Sequence, residues 1–200
     1  MKTRQPPPGV LGPEVKKALV VGSAPCVYDD LERAPDWPLI VINYAGLRHL
    51  GPIELWCSLH YRLLVQLIEQ REKMGGDMNF EAFTRVPKHT NHLQAAAGIK
   101  IHRSEGVGLR RMGNGSSGLY ATLTAISRGF ERLILCGIPL EGDETIQANE
   151  KIETRRSIRE PAFNRFRRPW VVNHDYLAKR VRSMSGWTRE LLGGPGVSFT

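Results

Sequence analysis

Two short loops of small and hydroxyl-bearing residues have the composition of anion-binding turns. The first, Gly22-Ser23-Ala24-Pro25, follows the apolar run Lys17 to Val21. The second, Asn114 to Gly118, contains Ser116 and Ser117 and opens an apolar helix that leads into the run Arg132 to Ile138. The backbone N–H groups and the dipole at a helix start attract anions. Together the loops predict a phosphate-binding pocket.

Neither loop matches a more specific nucleotide signature. The first lacks the three glycines of the dinucleotide fingerprint, and neither ends in Gly-Lys-Ser/Thr as a P-loop does. A plain strand-to-helix turn is therefore the alternative for each loop taken alone. Two such loops in one sheet favour a ligand site, because doubly wound proteins bind nucleotides at the carboxyl edge of their strands.

Alternating apolar runs and amphipathic segments predict a Rossmann-like α/β/α sandwich with a mostly parallel sheet and a small flexible lid. Residues 1–16 are predicted as a flexible leader, and 17–200 as one nucleotide-binding domain whose lid covers about 139–172, where no periodicity is evident. The final helix is predicted over 174–192, with Leu177, Val181, Met184, Trp187 and Leu191 as its apolar stripe. Strands are predicted at 17–21, 39–43, 53–58, 83–87, 99–102 and 132–138, and further helices at 61–73 and 117–128.

Composition favours a cytoplasmic protein. With 200 residues and 41% hydrophobic content, the chain can bury one sizeable core. It contains no apolar run of the roughly 20 residues that a membrane span needs, and the basic, proline-rich start lacks the apolar stretch of a signal peptide. The three cysteines (Cys26, Cys57 and Cys136) are odd in number and lie in or beside apolar runs, which indicates free, buried thiols.

The net charge of +8 is concentrated in one segment. Residues 151–189 hold eleven Lys or Arg against three acidic residues, so the remainder of the chain is neutral. Such a segment predicts an anionic partner: a nucleotide sugar, an acidic acceptor, a nucleic acid or a membrane surface. A solvated basic loop is the alternative. A second copy of the chain is a further candidate partner.

The order of these motifs resembles the bacterial sialyltransferases that form α-2,3 and α-2,8 linkages on lipooligosaccharide. The resemblance covers about residues 19–192, and it is close only in the Ser-Ser-Gly helix and the Cys-Gly-Ile strand. It is carried by Val-Val-Gly-Ser-Ala-Pro ending at Pro25, Asn43 at the end of the next strand, Ser116-Ser117-Gly118-Leu119-Tyr120, Gly-Phe-Glu-Arg-Leu-Ile-Leu-Cys-Gly-Ile ending at Ile138, and the late His174.

The resemblance implies a metal-independent enzyme with a CMP-sialic acid or similar nucleotide-sugar donor, a glycan or other hydroxyl acceptor, and no cofactor. Gly22, Ser23, Ala24 and Pro25 would pass under the nucleotide, and Asn43 would bind donor phosphate or sugar. Ser116, Ser117 and Gly118 would bind the donor carboxylate or phosphate. His174 would be the general base, since an imidazole can take a proton near neutral pH.

The chain departs from that family after the Cys-Gly-Ile strand. Pro139 replaces the family's Asp, and no tyrosine lies between Tyr120 and Tyr176 to bind the leaving phosphate. Guanidinium groups bind phosphate well, so arginines of the lid are predicted to substitute. The candidates are Arg155, Arg156, Arg159, Arg165, Arg167 and Arg168.

Two other functions fit the same residues. The Gly-x-x-Pro opening also resembles that of the archaeal pterin pyrophosphokinase-like proteins, and this resemblance implies an enzyme that uses ATP and magnesium. A non-catalytic nucleotide- or nucleic-acid-binding protein would instead use the basic segment 151–189.

Overall fold

The central feature of the fold is a seven-stranded sheet in which every neighbouring pair is parallel. The computed structural model describes residues 14–85, 96–103, 116–141, 144–148, 153–157 and 160–199. Its strands are β1 (Lys17–Val21), β2 (Leu39–Ile42), β3 (Leu55–Ser58), β4 (Glu81–Thr84), β5 (Ile101–Arg103), β6 (Arg132–Cys136), β7 (Glu144–Ala148), β8 (Glu153–Ser157) and β9 (Val181–Ser183).

The strand order is β5-β4-β3-β2-β1-β6-β9, while β7 and β8 form a separate antiparallel pair. Strands β1 to β5 therefore follow one another toward one edge of the sheet, whereas β6 and β9 lie on the other side of β1. Because the strand order reverses between β1 and β6, the connections on the two sides leave the sheet in opposite directions and a crevice opens at the carboxyl ends of these strands. This crevice is where the two predicted anion-binding loops meet.

Helices cover both faces of the sheet, because alternate strand residues point to opposite sides. On β1, Ala18 and Val20 belong to one apolar cluster, and Leu19 and Val21 to the other. The first cluster includes residues of α4 (Ser117–Ser127), α5 (Glu160–Val172), α6 (His174–Leu177) and α7 (Gly186–Leu192), and the second those of α1 (Val27–Arg33), α2 (Ala45–Arg48) and α3 (Tyr61–Lys73). The predicted Rossmann-like sandwich is confirmed. None of the described helices is both long and apolar enough to cross a membrane.

The segment predicted as an irregular lid contains regular structure. The pair β7 and β8 and the helix α5 lie within 139–172. Phe163, Phe166 and Trp170 fall at spacings of three and four residues, and Phe163 and Trp170 are buried. The interspersed arginines and Pro169, which lies inside the helix, obscure this period in the sequence.

The predicted single helix 174–192 is wrong. It is divided into α6, β9 and α7. Pairing β9 with β6 satisfies backbone groups at what would otherwise be an open sheet edge, with Leu133 N donating to the Arg180 carbonyl at 2.8 Å. The guanidinium of Arg182, buried within the strand, donates to the carbonyl oxygens of Val181 and Val197. The apolar residues of α6, β9 and α7 are thus spaced along the sequence as those of a single amphipathic helix would be.

Most other elements lie close to their predicted positions. The first three strands, helix α3, helix α4 and β6 match within about two residues, while β4 begins two residues before its predicted run and β5 two residues after its own. Of the predicted leader, residues 1–13 lie outside the described part of the chain.

The described thiols differ in accessibility, which predicts their reactivity. Burial raises the pKa of Cys136 to about 12, and it also raises the pKa of the fully buried Cys57 and of the half-buried Cys26. Because the thiolate is the reactive form, Cys57 and Cys136 should not react with Ellman's reagent in the native protein, and Cys26 should react slowly. All three should react in guanidinium chloride. Rapid labelling of three thiols in the native protein would contradict this packing.

Candidate active site

A cavity of about 250 Å³ lies at the carboxyl edge of the sheet, in the crevice beside β1. It is formed by the loops after four adjacent strands, by the start of α4 and by one face of α5. The residues that line it include Gly22, Ser23 and Ala24 after β1, Asn43 after β2, Leu59 and His60 after β3, Gly137 to Glu141 after β6, Ser116, Ser117 and Gly118 at the start of α4, and Phe163 and Phe166 of α5.

The β1 loop packs tightly against the β6 loop. Gly22 N donates to the Cys136 carbonyl at 2.8 Å, and Ala24 N donates to the Gly137 carbonyl at 3.2 Å. A Cβ atom at Gly22 would lie 2.4 Å from the Gly137 oxygen, so a larger residue cannot fit without backbone movement. Glycine at this position lets the two loops share one wall of the cavity.

The buried carboxylate of Asp30 holds the β6 loop against α1. Asp30 in α1 is fully buried, and its Oδ2 accepts hydrogen bonds from Gly137 N at 2.8 Å and from Ser185 Oγ at 2.7 Å. Gly137 has a φ of 64°, and a Cβ atom there would lie 2.6 Å from that of Val27. The carboxylate therefore holds a backbone turn that only glycine adopts easily.

Ser116 caps helix α4 and connects it to α5. Its Oγ accepts from Leu119 N and from Trp170 Nε1, both at 3.3 Å. The first turn of α4 has no acidic residue. Since the first N–H groups of a helix lack intrahelical acceptors, this end of α4 presents donors and a positive dipole to the cavity.

Asn43 brings the end of β2 to the start of α4. Its backbone has a φ of 48°, a conformation that asparagine tolerates, and its carbonyl accepts from Trp56 Nε1 at 2.9 Å. The side-chain Nδ2 donates to Ser117 Oγ at 3.3 Å. Because Ser117 Oγ accepts this bond, its own proton is available for an anion in the cavity. The buried Oδ1 of Asn43 has no partner among the described residues and can accept from a ligand hydroxyl or amino group.

The structure brings together most of the residues predicted for the donor. Gly22, Ser23, Ala24, Asn43, Ser116, Ser117 and Gly118 all line the cavity, whereas Pro25 does not. The two loops were identified by their position directly after a strand or before a helix, and Asn43 by the resemblance to the sialyltransferases.

The other predicted residues lie elsewhere. His174 does not line the cavity, and its half-exposed ring has Nδ1 3.1 Å from Asp175 Oδ1. Arg165, Arg167 and Arg168 do not line it either; Arg167 Nε donates to the Leu140 carbonyl at 2.9 Å, and its guanidinium stacks over Trp187. Arg159 and the side chains of Arg155 and Arg156 lie outside the described part of the structure.

Sequence reasoning missed several cavity residues, among them His60, Phe163 and Glu141. His60 follows β3 at the same sheet edge, a position that the predicted strand 53–58 already indicated. Phe163 and Phe166 belong to the unpredicted helix α5, and Glu141 follows the Gly-Ile-Pro turn. Within the described ranges, no three His, Cys, Asp or Glu side chains are grouped as metal ligands would be.

Solved structures with the same architecture were found by structural comparison. CstII from Campylobacter jejuni, in complex with the substrate analogue cytidine-5'-monophosphate, aligns with a TM-score of 0.56 and 14% identity over 92% of this chain and 86% of that one. The sialyltransferase CST-II with trisaccharide acceptor and CMP aligns with a TM-score of 0.53 and 11% identity, over 90% and 86% of the two chains. The fold is that of these sialyltransferases.

A second enzyme extends the similarity. The monofunctional alpha-2,3-sialyltransferase Cst-I from Campylobacter jejuni aligns with a TM-score of 0.52 and 14% identity over 98% of this chain and 87% of that one. No protein-family model and no curated protein sequence matches the chain. The sialyltransferase fold is therefore shared at low sequence identity, and the chemistry has to be argued from this chain's own residues.

The contact between Gly22 and Gly137 predicts a steric cost for substitution. Gly22→Ala should lower the free energy of unfolding by about 1–3 kcal/mol, the usual range for overpacking. Urea denaturation measures this change. Gly196→Ala is the matched control, because a Cβ atom there would meet nothing within 4 Å. Equal stability of the two variants would contradict the packing described for the cavity wall.

Proposed function

We propose that this protein is a glycosyltransferase that moves a sugar from a nucleotide-sugar donor, a CMP-sugar such as CMP-sialic acid, to a hydroxyl group of a glycan or similar acceptor. The observation that carries the proposal is the juxtaposition of Asn43, Ser117 and the start of α4 above the β1 loop. This arrangement supplies hydrogen-bond donors for a phosphate at the point where α/β proteins bind nucleotides.

The shape of the cavity supports a nucleotide that extends from the β1 loop. Gly22, Ser23 and Ala24 line the cavity without bulky side chains, and Phe163 and Phe166 add two aromatic rings to its lining. Aromatic rings of this kind pack against a planar base. Both CstII complexes described above contain CMP, which agrees with a nucleotide of this size.

The reaction requires that negative charge developing on the leaving phosphate be stabilised. The Ser117 hydroxyl and the free N–H groups at the start of α4 are fixed donors aimed at this position, and fixed donors stabilise such charge without reorganisation. We propose that these groups serve in place of a metal ion. Arginines of the basic segment 151–189 are proposed to add positive charge around the donor.

Binding of nucleotides separates this function from its rivals. CMP should raise the melting temperature of the protein, and the shift should persist in EDTA; at 100 times Kd, a ligand stabilises a protein by about 2.7 kcal/mol. Stabilisation by ATP only with magnesium would favour a pyrophosphokinase. Stabilisation by an oligonucleotide that disappears steeply with salt would favour a nucleic-acid-binding protein.

Two substitutions test the phosphate position directly. Ser117→Ala should weaken CMP binding by about 10- to 150-fold, since a hydrogen bond to a charged group contributes about 1.5–3 kcal/mol. Asn43→Asp should weaken it further, because it places a carboxylate beside the phosphate without changing side-chain size. Isothermal titration calorimetry measures both affinities.

Asn79→Asp is the matched control for the charge change. Asn79 is exposed and lies between α3 and β4, away from the cavity. This variant should bind CMP as the wild type does. If Asn43→Asp and Asn79→Asp bind CMP equally well, the phosphate does not lie beside Asn43.

A further inference from the structure

His60 lies on the cavity wall in a rigid setting. Ser58 at the end of β3 is fully buried, and its Oγ accepts from His60 N at 3.1 Å and donates to the His60 carbonyl at 3.3 Å. The same carbonyl accepts from Leu64 N at 3.0 Å, because His60 is the residue that precedes helix α3. The backbone of His60 is thus fixed on both sides, and its exposed imidazole lines the cavity.

His60 and Glu141 are the titratable side chains among the described residues that line the cavity. They lie on opposite sides of it, since His60 follows β3 and Glu141 follows β6, with β2 and β1 between these strands. The Glu141 carboxylate points toward α7, where its Oε1 would lie 2.7 Å from a Cβ atom at Gly186. No hydrogen bond from the described residues engages the His60 ring.

In the proposed binding mode, the sugar of the donor lies near His60. A phosphate beside Ser117 and Asn43 lies at the end of β2, and the β1 loop and the two phenylalanines occupy the β6 side. Helix α5 contacts that side through the hydrogen bond from Arg167 Nε to the Leu140 carbonyl, and it contacts the start of α4 through the bond from Trp170 Nε1 to Ser116 Oγ. With the nucleoside on this side, the donor sugar extends toward β3, where Leu59 and His60 form the wall.

We propose that His60 is the general base of the transfer reaction, an inference that rests on the proposed function. An imidazole nitrogen of His60 takes the proton from the attacking hydroxyl as its oxygen forms a bond to the anomeric carbon. The bond between that carbon and the phosphate oxygen breaks, and its electron pair leaves with CMP. The proton then passes from the imidazolium to solvent.

The position of His174 favours this assignment. The resemblance to the sialyltransferases implies that His174 is the base, yet in this structure its ring faces Asp175 and lies outside the cavity. A base has to reach the proton that it abstracts within hydrogen-bond distance. Of these two histidines, only His60 lines the cavity in which the acceptor hydroxyl would lie.

Release of CMP from CMP-sialic acid, with water as acceptor, tests the proposal. His60→Gln keeps a hydrogen-bonding side chain of similar size but removes the base, so kcat should fall by about 100- to 10,000-fold while CMP affinity stays within about twofold. Imidazole added to His60→Ala should restore part of the rate. His49→Gln is the matched control, because His49 lies between α2 and β3 and does not line the cavity.

The outcomes separate this inference from the proposed function. A wild-type protein that neither binds CMP nor releases it from CMP-sialic acid overturns the proposed function, and the role of His60 with it. A wild-type protein that turns over the donor while His60→Gln retains full kcat overturns the inference alone, and loss of kcat in His174→Gln would then assign the base to His174. A raised KM with unchanged kcat in His60→Gln would make His60 a sugar-binding residue.

Discussion

The close approach of the β1 and β6 loops is the constraint on which the site depends. Gly22 and Gly137 approach each other with no side chain between them. The loops after β1 and β6 can therefore pack together and still leave an open crevice at the edge of the sheet. A side chain at Gly22 would push the two loops apart, and one at Gly137 would collide with Val27 of α1. The cavity floor would then lose the flat backbone surface on which a nucleotide can lie.

A network of hydrogen bonds connects the β6 loop to α1 and to α7, near the end of the chain. Asp30 binds both the Gly137 backbone and the Ser185 hydroxyl, and Thr188 Oγ1 in α7 donates to the Ile138 carbonyl at 2.7 Å. Ser185 and Thr188, which follow β9, therefore help to position the β6 loop. Buried hydrogen bonds of this kind are costly to break singly, because each leaves an unsatisfied partner. The cavity wall is thus supported by α1 and α7 together.

The sequence predicts the buried parallel strands and the loops that follow them, because each of these segments has a uniform composition. Apolar β-branched runs such as Leu39 to Ile42 form buried parallel strands, and the loops after them line the cavity as expected. Helix α5 escapes prediction because its aromatic residues alternate with arginines, so its period becomes visible only once Phe163 and Trp170 are packed. Strand β9 escapes because its pairing with β6 is a long-range interaction. The predicted strand 53–58 puts His60 at the carboxyl edge of the sheet, but the cavity that it lines forms only when the loops after four strands come together.

The proposed function places a nucleotide phosphate between Asn43, Ser117 and the start of α4. A crystal structure of the protein with bound CMP would locate this phosphate. We expect phosphate oxygens within hydrogen-bond distance of Ser117 Oγ and of the Gly118 N–H, with the nucleoside over the Gly22 turn. CMP bound at another surface, or with its phosphate turned away from α4, would contradict it.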